Sequence, residues 1–235
     1  MTTTEQPTAL ITGASKGLGN ALAHALADRG WRLVLDARNA EALGDATAGL
    51  PGALAIPGDV ADAGHRAVLA ATVERLGRLD LLVNNASDLG PSPLPALADY
   101  PLDALRRVYE TDVLAPLALV QLLLPALRRA RGTVLDVSSD AAVEAYPGWG
   151  GYGSAKAALD QVSAVLGAEE PDLRVYAVDP GDMRTDMHQA AFPGEYISDR
   201  PVPEDVVPAL LRLLDVRPAS GRYRAADFAA TDLAR

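Results

Sequence analysis

Tyr152 and Lys156 stand four residues apart in Tyr152-Gly153-Ser154-Ala155-Lys156, and Ser139 lies thirteen residues before the tyrosine. On a helix such a pair shares one face. A phenol can protonate a carbonyl oxygen or take the proton of an alcohol, yet its ordinary pKa of about 10 is too high for that work at neutral pH. A neighbouring ammonium stabilises the phenolate and lowers that pKa. Ser139 can hydrogen-bond the same substrate oxygen. The chain carries two lysines against nineteen arginines. The second, Lys16, lies in the run Thr12-Gly13-Ala14-Ser15-Lys16-Gly17-Leu18-Gly19. A compact ammonium on a flexible stem reaches beneath a phenol where the wide guanidinium fork does not fit. By itself Tyr-x-x-x-Lys is also an ordinary surface pair, so the chemistry depends on the scaffold that positions it.

That scaffold alternates short apolar runs with helical patterns. Strands are expected at 8–12, 31–37, 53–57, 79–83, 133–137, 173–178 and 221–225. Helices are expected at 17–29, 41–50, 61–76, 102–113, 114–130, 152–166 and 204–214, with 102–130 alternatively one helix bent near Pro116. Strands alternating with helices of this length mean right-handed crossovers, an α/β class and a parallel sheet. The runs are continuously apolar, as a sheet covered on both faces requires. With no linker or repeat in sequence, the whole of 1–235 is expected to be one domain.

Composition narrows the function. The net charge of −10 offers no basic stripe for nucleic acid or an anionic membrane surface. There is no cysteine, which removes disulfides and thiolate chemistry. The three histidines are scattered and no metal site is expected. Residues 1–7 lack a basic stretch leading into an apolar one, and no apolar run reaches a membrane-spanning length, so a cytoplasmic location is expected.

The glycine-rich run falls between the first strand and the first helix. Glycines there let the backbone approach a pyrophosphate, and the helix start supplies free N–H donors. Gly13, Ser15, Lys16, Gly17, Leu18 and Gly19 are therefore the candidate cradle of a dinucleotide. Gly58-Asp59-Val60 follows the third strand, where Asp59 and Val60 can meet an adenine. Asn84-Asn85-Ala86 ends the fourth, where Asn85 and Ala86 can line a ribose. The second strand ends Leu35-Asp36-Ala37-Arg38-Asn39. An acidic residue at that tip binds a free ribose diol, an arginine a 2′-phosphate. Arg38 with Lys16 favours NADP; Asp36 keeps NAD possible. A cationic nicotinamide ring beside Tyr152 would further lower the phenol's pKa.

Together these motifs resemble the single-domain short-chain dehydrogenase/reductases, nearly end to end and in family order. The Thr-Gly-x-x-x-Gly-x-Gly loop is matched by Thr12, Gly13, Gly17 and Gly19, and the Asn-Asn-Ala-Gly segment by Asn84, Asn85 and Ala86. The serine, tyrosine and lysine fall on Ser139, Tyr152 and Lys156. The Pro-Gly turn falls on Pro180 and Gly181, with Met183 and Thr185 beside the nicotinamide. The resemblance implies a Rossmann-type, doubly wound sheet of seven mainly parallel strands, hydride transfer, and a homodimer or homotetramer. Two positions depart from the pattern. Ser87 stands where the family usually has glycine. Asp112 stands where it has an asparagine that holds a water linking the lysine to solvent. Aspartate keeps the backbone carbonyl and adds an acceptor-only charge near Lys156.

Three segments, 87–97, 140–150 and 182–200, should surround the substrate, with 182–200 a mobile lid. They bring Tyr146, Trp149 and Met187 near Ser139, either as an apolar pocket or as lid packing. The reading is an oxidoreductase that prefers NADP(H) and interconverts an apolar ketone or aldehyde with an alcohol, with Tyr152 as acid/base. The alternatives are a non-redox enzyme of the same fold, performing dehydration or isomerisation, and an NADP(H)-sensing regulatory protein.

Overall fold

The computed structural model describes residues 6–229; residues 1–5, most of the polar leading segment, lie outside them. Seven strands form one sheet, β1 (Thr8–Ile11), β2 (Arg32–Ala37), β3 (Leu54–Pro57), β4 (Leu81–Asn84), β5 (Thr133–Val137), β6 (Arg174–Asp179) and β7 (Gly221–Arg224). Their spatial order is β3-β2-β1-β4-β5-β6-β7. Every pairing is parallel. The order reverses between β1 and β4, the switch point at which open α/β sheets leave a crevice at their carboxyl ends.

The helices α1 (Gly17–Asp28), α2 (Ala40–Thr47), α3 (Ala63–Leu76), α4 (Leu102–Tyr109), α5 (Ala115–Ala130), α6 (Gly150–Glu169), α7 (Asp186–Ala191) and α8 (Pro203–Val216) carry the crossovers. One core joins Leu22, Leu26, Leu35, Leu135 and Leu210, and a second joins Leu10, Val34, Leu69, Leu123 and Val134. The parity of the strands decides which core each residue enters: Leu33 and Leu35 face one, Val34 the other. The central strands are buried throughout, while the edge strand β3 exposes Leu54.

The span 102–130 is one continuous helix of 29 residues, the bent single helix that was the alternative in sequence. Its bend is a π-helical stretch at Glu110–Leu114, just ahead of Pro116. By length and composition this helix could cross a membrane, although no unbroken apolar run within 102–130 reaches a spanning length. Leu119, Val120, Leu123 and Leu127 bury its apolar face in the core. An element not expected from the sequence is α7, a short helix inside 182–200, capped by the Thr185 hydroxyl accepting from the His188 N–H at 3.2 Å.

Candidate active site

The glycine loop is fixed by its neighbours. The Thr12 Oγ1 accepts from the Asn85 and Ala86 amides, each at 3.0 Å. The Asn85 Nδ2 donates to the Thr12 and Gly13 carbonyls at 2.9 and 3.1 Å. Gly13 holds a φ of 67°, a conformation that favours glycine. A Cβ on Gly19 would sit 2.5 Å from Asn85 Nδ2 and 2.7 Å from the Gly13 carbonyl. Gly19 therefore lets α1 close against this brace and lies behind the residues that line the cleft.

A cleft of about 670 Å³ runs from this loop along the carboxyl ends of the strands, a size typical of ligand sites. Gly13, Ser15, Lys16, Gly17 and Leu18 line one end. Arg38, Asp59, Val60, Asn85 and Ala86 line the flank, and Pro180, Gly181, Met183 and Thr185 the far wall. Ser139, Tyr152, Lys156, Trp149 and Met187 lie on its floor and opposite side. The free amides at the start of α1, the missing side chains of its glycines and the flanking cations suit a dinucleotide. Lys16 reaches Asp186 across the mouth at 2.6 Å, with both side chains exposed. Sequence reasoning missed Thr111, His188, Val202 and Glu204, which also line the cleft. They carry no motif, and only the fold brings them here.

Asp36 and Arg38 separate sharply. Asp36 is 1% exposed, and its Oδ1 meets His65 Nε2 at 2.5 Å. It points away from the cleft, whereas Arg38 lines it, exposed. Burial pushes the Asp36 carboxyl up to about 6, against the opposing pull of His65. Since 6 lies above the usual 3.8, the folded chain holds a proton there that the unfolded chain releases. Stability should therefore fall as pH rises from about 4 to about 6, by on the order of 3 kcal/mol, and then level. Denaturant titrations across that range should show the slope in the wild-type chain and lose it in Asp36→Asn.

Tyr152 and Lys156 share one face of α6, with the lysine Nζ 5.4 Å from the phenol ring centroid. Lys156 is 2% exposed and donates to the Val137 carbonyl at 2.9 Å. Ser139 caps the turn after β5, accepting from the Ala141 amide at 3.1 Å and donating to Asp140 at 3.0 Å. Its proximity pulls the Tyr152 phenol pKa down. Trp149 packs edge-on against Tyr152 at 5.8 Å and tilted against Phe192 at 5.8 Å. With Leu89, Leu94 and Met187 they form an apolar cluster around the phenol. Tyr146 does not join it: its hydroxyl donates to Asp140 at 3.0 Å, and it is 45% exposed outside the cleft. Of the expected substrate-side residues, the structure brings Trp149 and Met187 to the phenol and leaves Tyr146 at the surface.

Asp112 lies beneath the cleft in the π-helical stretch, fully buried. Its carboxylate stands 3.5 Å from Lys156 Nζ. It accepts from the Ser87 hydroxyl at 2.6 Å and the Asp88 amide at 2.7 Å. Burial raises the Asp112 carboxyl, with Lys156 and Ser87 opposing. Burial alone would lower the Lys156 ammonium, but Asp112, Tyr152 and Asp136 outweigh it and raise it. The phenol of Tyr152 is raised as well, by burial first; Lys156 pulls it down and Asp112 pushes it up. The lowering expected from Lys156 is thus outweighed in the protein alone.

Comparison with known proteins agrees with this geometry. The short chain dehydrogenase family profile matches residues 7–195. The chain is 37% identical over 171 residues to the rhamnolipids biosynthesis 3-oxoacyl-[acyl-carrier-protein] reductase of Pseudomonas aeruginosa, covering 68% of this chain and 66% of that one. It is 32% identical over 188 residues to an uncharacterized oxidoreductase of Schizosaccharomyces pombe, covering 80% and 75%. Among solved structures, an alcohol dehydrogenase from the archaeon Thermococcus sibiricus complexed with 5-hydroxy-NADP superposes with a TM-score of 0.83 at 28% identity, covering 94% and 96%. The chain belongs to the short-chain dehydrogenase/reductase family. It is an NAD(P)-dependent oxidoreductase of that family with the Rossmann-like fold.

Proposed function

We propose that this enzyme prefers NADP(H) and interconverts an apolar ketone or aldehyde with the corresponding alcohol. The observation that carries the reading is the Tyr152 phenol on the cleft floor, flanked by Ser139 and Lys156 and walled by Trp149, Met187 and Leu89. When bound, the cofactor supplies or accepts the hydride. Ser139 holds the substrate oxygen, and Tyr152 gives it a proton in reduction or takes one in oxidation. Lys156 favours the phenolate by its charge. The apolar cluster excludes water from the reacting carbon. The span 182–200, which includes α7, acts as the lid of a single-domain enzyme that functions as a homodimer or homotetramer.

Preference for NADP rests on Arg38. It lines the cleft, and among the described residues nothing hydrogen-bonds or ion-pairs with it. Asp36, the group that would bind a free diol, is held by His65 instead. A solved structure from Thermococcus sibiricus with 5-hydroxy-NADP is similar throughout. Hydrogen bonds to a charged group are worth about 1.5–3 kcal/mol. Arg38→Ala should therefore raise the KM for NADPH by roughly 10–100-fold and leave that for NADH nearly unchanged. The reading itself is tested with a panel of apolar ketones, following nicotinamide absorbance with NADPH and with NADH. Turnover favouring NADPH is expected. Tight NADPH binding without turnover of any ketone would overturn it.

A further inference from the structure

Arg222 holds the Ser139 turn from outside the cleft. It stands on β7, the last strand of the sheet, 83 residues after Ser139. Its Nη2 donates to the Ser139 carbonyl at 2.9 Å, and its Nε donates to Asp160 Oδ2 at 2.9 Å. The guanidinium is planar, so these two donors fix the direction of both acceptors at once. Asp179 Oδ2 faces the same fork at 4.0 Å.

The sheet explains the reach. Asp136, Ala177 and Arg222 are register partners across β5, β6 and β7, so their side chains leave the same face. On that face Asp136 meets Ser163 of α6, and Arg222 meets Asp160 of the same helix. Asp160 lies one turn beyond Lys156 and two beyond Tyr152. Asp179 accepts from the Gly181 amide at 2.9 Å, and Gly181 lines the cleft. One side chain thus links the turn that carries Ser139 to the helix that carries Tyr152 and Lys156, beside the root of the far wall. Among the described residues, the other hydrogen bonds of residue 139 stay within its own turn, at Asp140, Ala141 and Ala142. α6 packs close on this turn: a Cβ on Gly153 would sit 2.6 Å from the Ala141 carbonyl. A shift of the turn therefore moves Ser139 relative to Tyr152.

We propose that Arg222 is a positioning residue for the reaction: by gripping the Ser139 carbonyl and Asp160 together, it sets the place of the Ser139 hydroxyl relative to the Tyr152 phenol. This rests on the redox reading above, in which one substrate oxygen must meet both groups. A misplacement of about 1 Å in such an arrangement can cost on the order of a hundredfold in rate. Arg222 does not line the cleft, so it acts through Ser139 and not on the substrate or the cofactor. Its side chain and that of Asp160 are 29% and 13% exposed. Solvent therefore screens the pair in part, and a cation of another shape can satisfy the charge without reproducing the geometry.

The test uses the whole enzyme with Arg222→Lys, Arg222→Met and Ser139→Ala. Lysine keeps a cation against Asp160 but presents a single nitrogen, which cannot meet both acceptors in the geometry of the fork. Arg222→Lys should lower kcat roughly 10–100-fold, with its thermal midpoint and its NADPH affinity near those of the wild type. Arg222→Met should lose at least as much activity and some stability as well. Asp160, whose Oδ1 is buried without a partner among the described residues, then lacks its cation. In the Ser139→Ala background, Arg222→Lys should have no further effect on kcat, since the arginine acts through that hydroxyl. Wild-type kcat in Arg222→Lys would overturn the proposal. So would an equal loss of kcat with and without the Ser139 hydroxyl, since that marks a general loosening of the fold. An unimpaired Ser139→Ala would instead bring down the reading of Ser139 in the reaction, and the proposal with it.

Discussion

Tyr152→Phe should reduce kcat on the order of a thousandfold while leaving NADPH affinity unchanged. Phenylalanine preserves the ring that packs edge-on against Trp149, so the apolar cluster should persist. What disappears is the proton that the phenol exchanges with the substrate oxygen. Tyr152 is 8% exposed, with the Lys156 Nζ over its ring, and among the described residues no other phenol lines the cleft to take over the transfer. Equilibrium titration of NADPH by fluorescence checks the binding half of the expectation, and single-turnover kinetics check the chemical half. A variant that turns over at a near-normal rate would remove Tyr152 from the acid/base role.

Lys156→Met should have the largest effect on stability. Removing one partner of a buried ion pair leaves the other charge uncompensated and costs about 3–5 kcal/mol. Lys156 and Asp112 are 2% and 0% exposed, so solvent cannot rescue the carboxylate. Asp136, also buried, loses a nearby cation in the same step. The sign with pH follows. Without Lys156 the folded-state pKa of Asp112 rises further, so the penalty applies when the carboxylate is ionised and fades once it is protonated. The loss measured by urea denaturation should be larger at about pH 8 than at about pH 5. Adding Asp112→Asn to Lys156→Met should recover most of it, since that removes the orphaned charge. A loss that is independent of pH, and equal in the double variant, would mean that packing of the lysine stem and not the ion pair sets the cost.

The alternation of strands and helices was legible because buried parallel strands are written as continuous apolar runs. The glycine loop and the Tyr152–Lys156 pair were legible because each is local: one occupies a single turn, the other two adjacent turns of one helix. What was not legible depended on contacts between distant segments. The role of Gly19 is set by Asn85, 66 residues on. Asp36 looked like a rival to Arg38 until its place on β2 turned it toward His65 on α3. Alternation along β2 puts Asp36 on the Val34 face, toward α3, but would put Arg38 there too; β2 ends at Ala37, and Arg38 beyond it lines the cleft. The π-helical stretch left no periodic signal, because five residues cannot display a period of their own. Ser87 and Asp112 were each visible as unusual residues, but only the fold made them partners.

The brace formed by Thr12 and Asn85 has a thermodynamic consequence. It uses four hydrogen bonds to hold the glycine loop between β1 and β4 within the protein itself. A nucleotide arriving there meets backbone already in its final shape, so little chain entropy is lost on association. The binding energy of the phosphates is then available for affinity instead of for ordering the loop. It also ties the first half of the sheet to the second at one seam. Local opening of that loop should therefore track the unfolding of the sheet as a whole, not that of a surface turn.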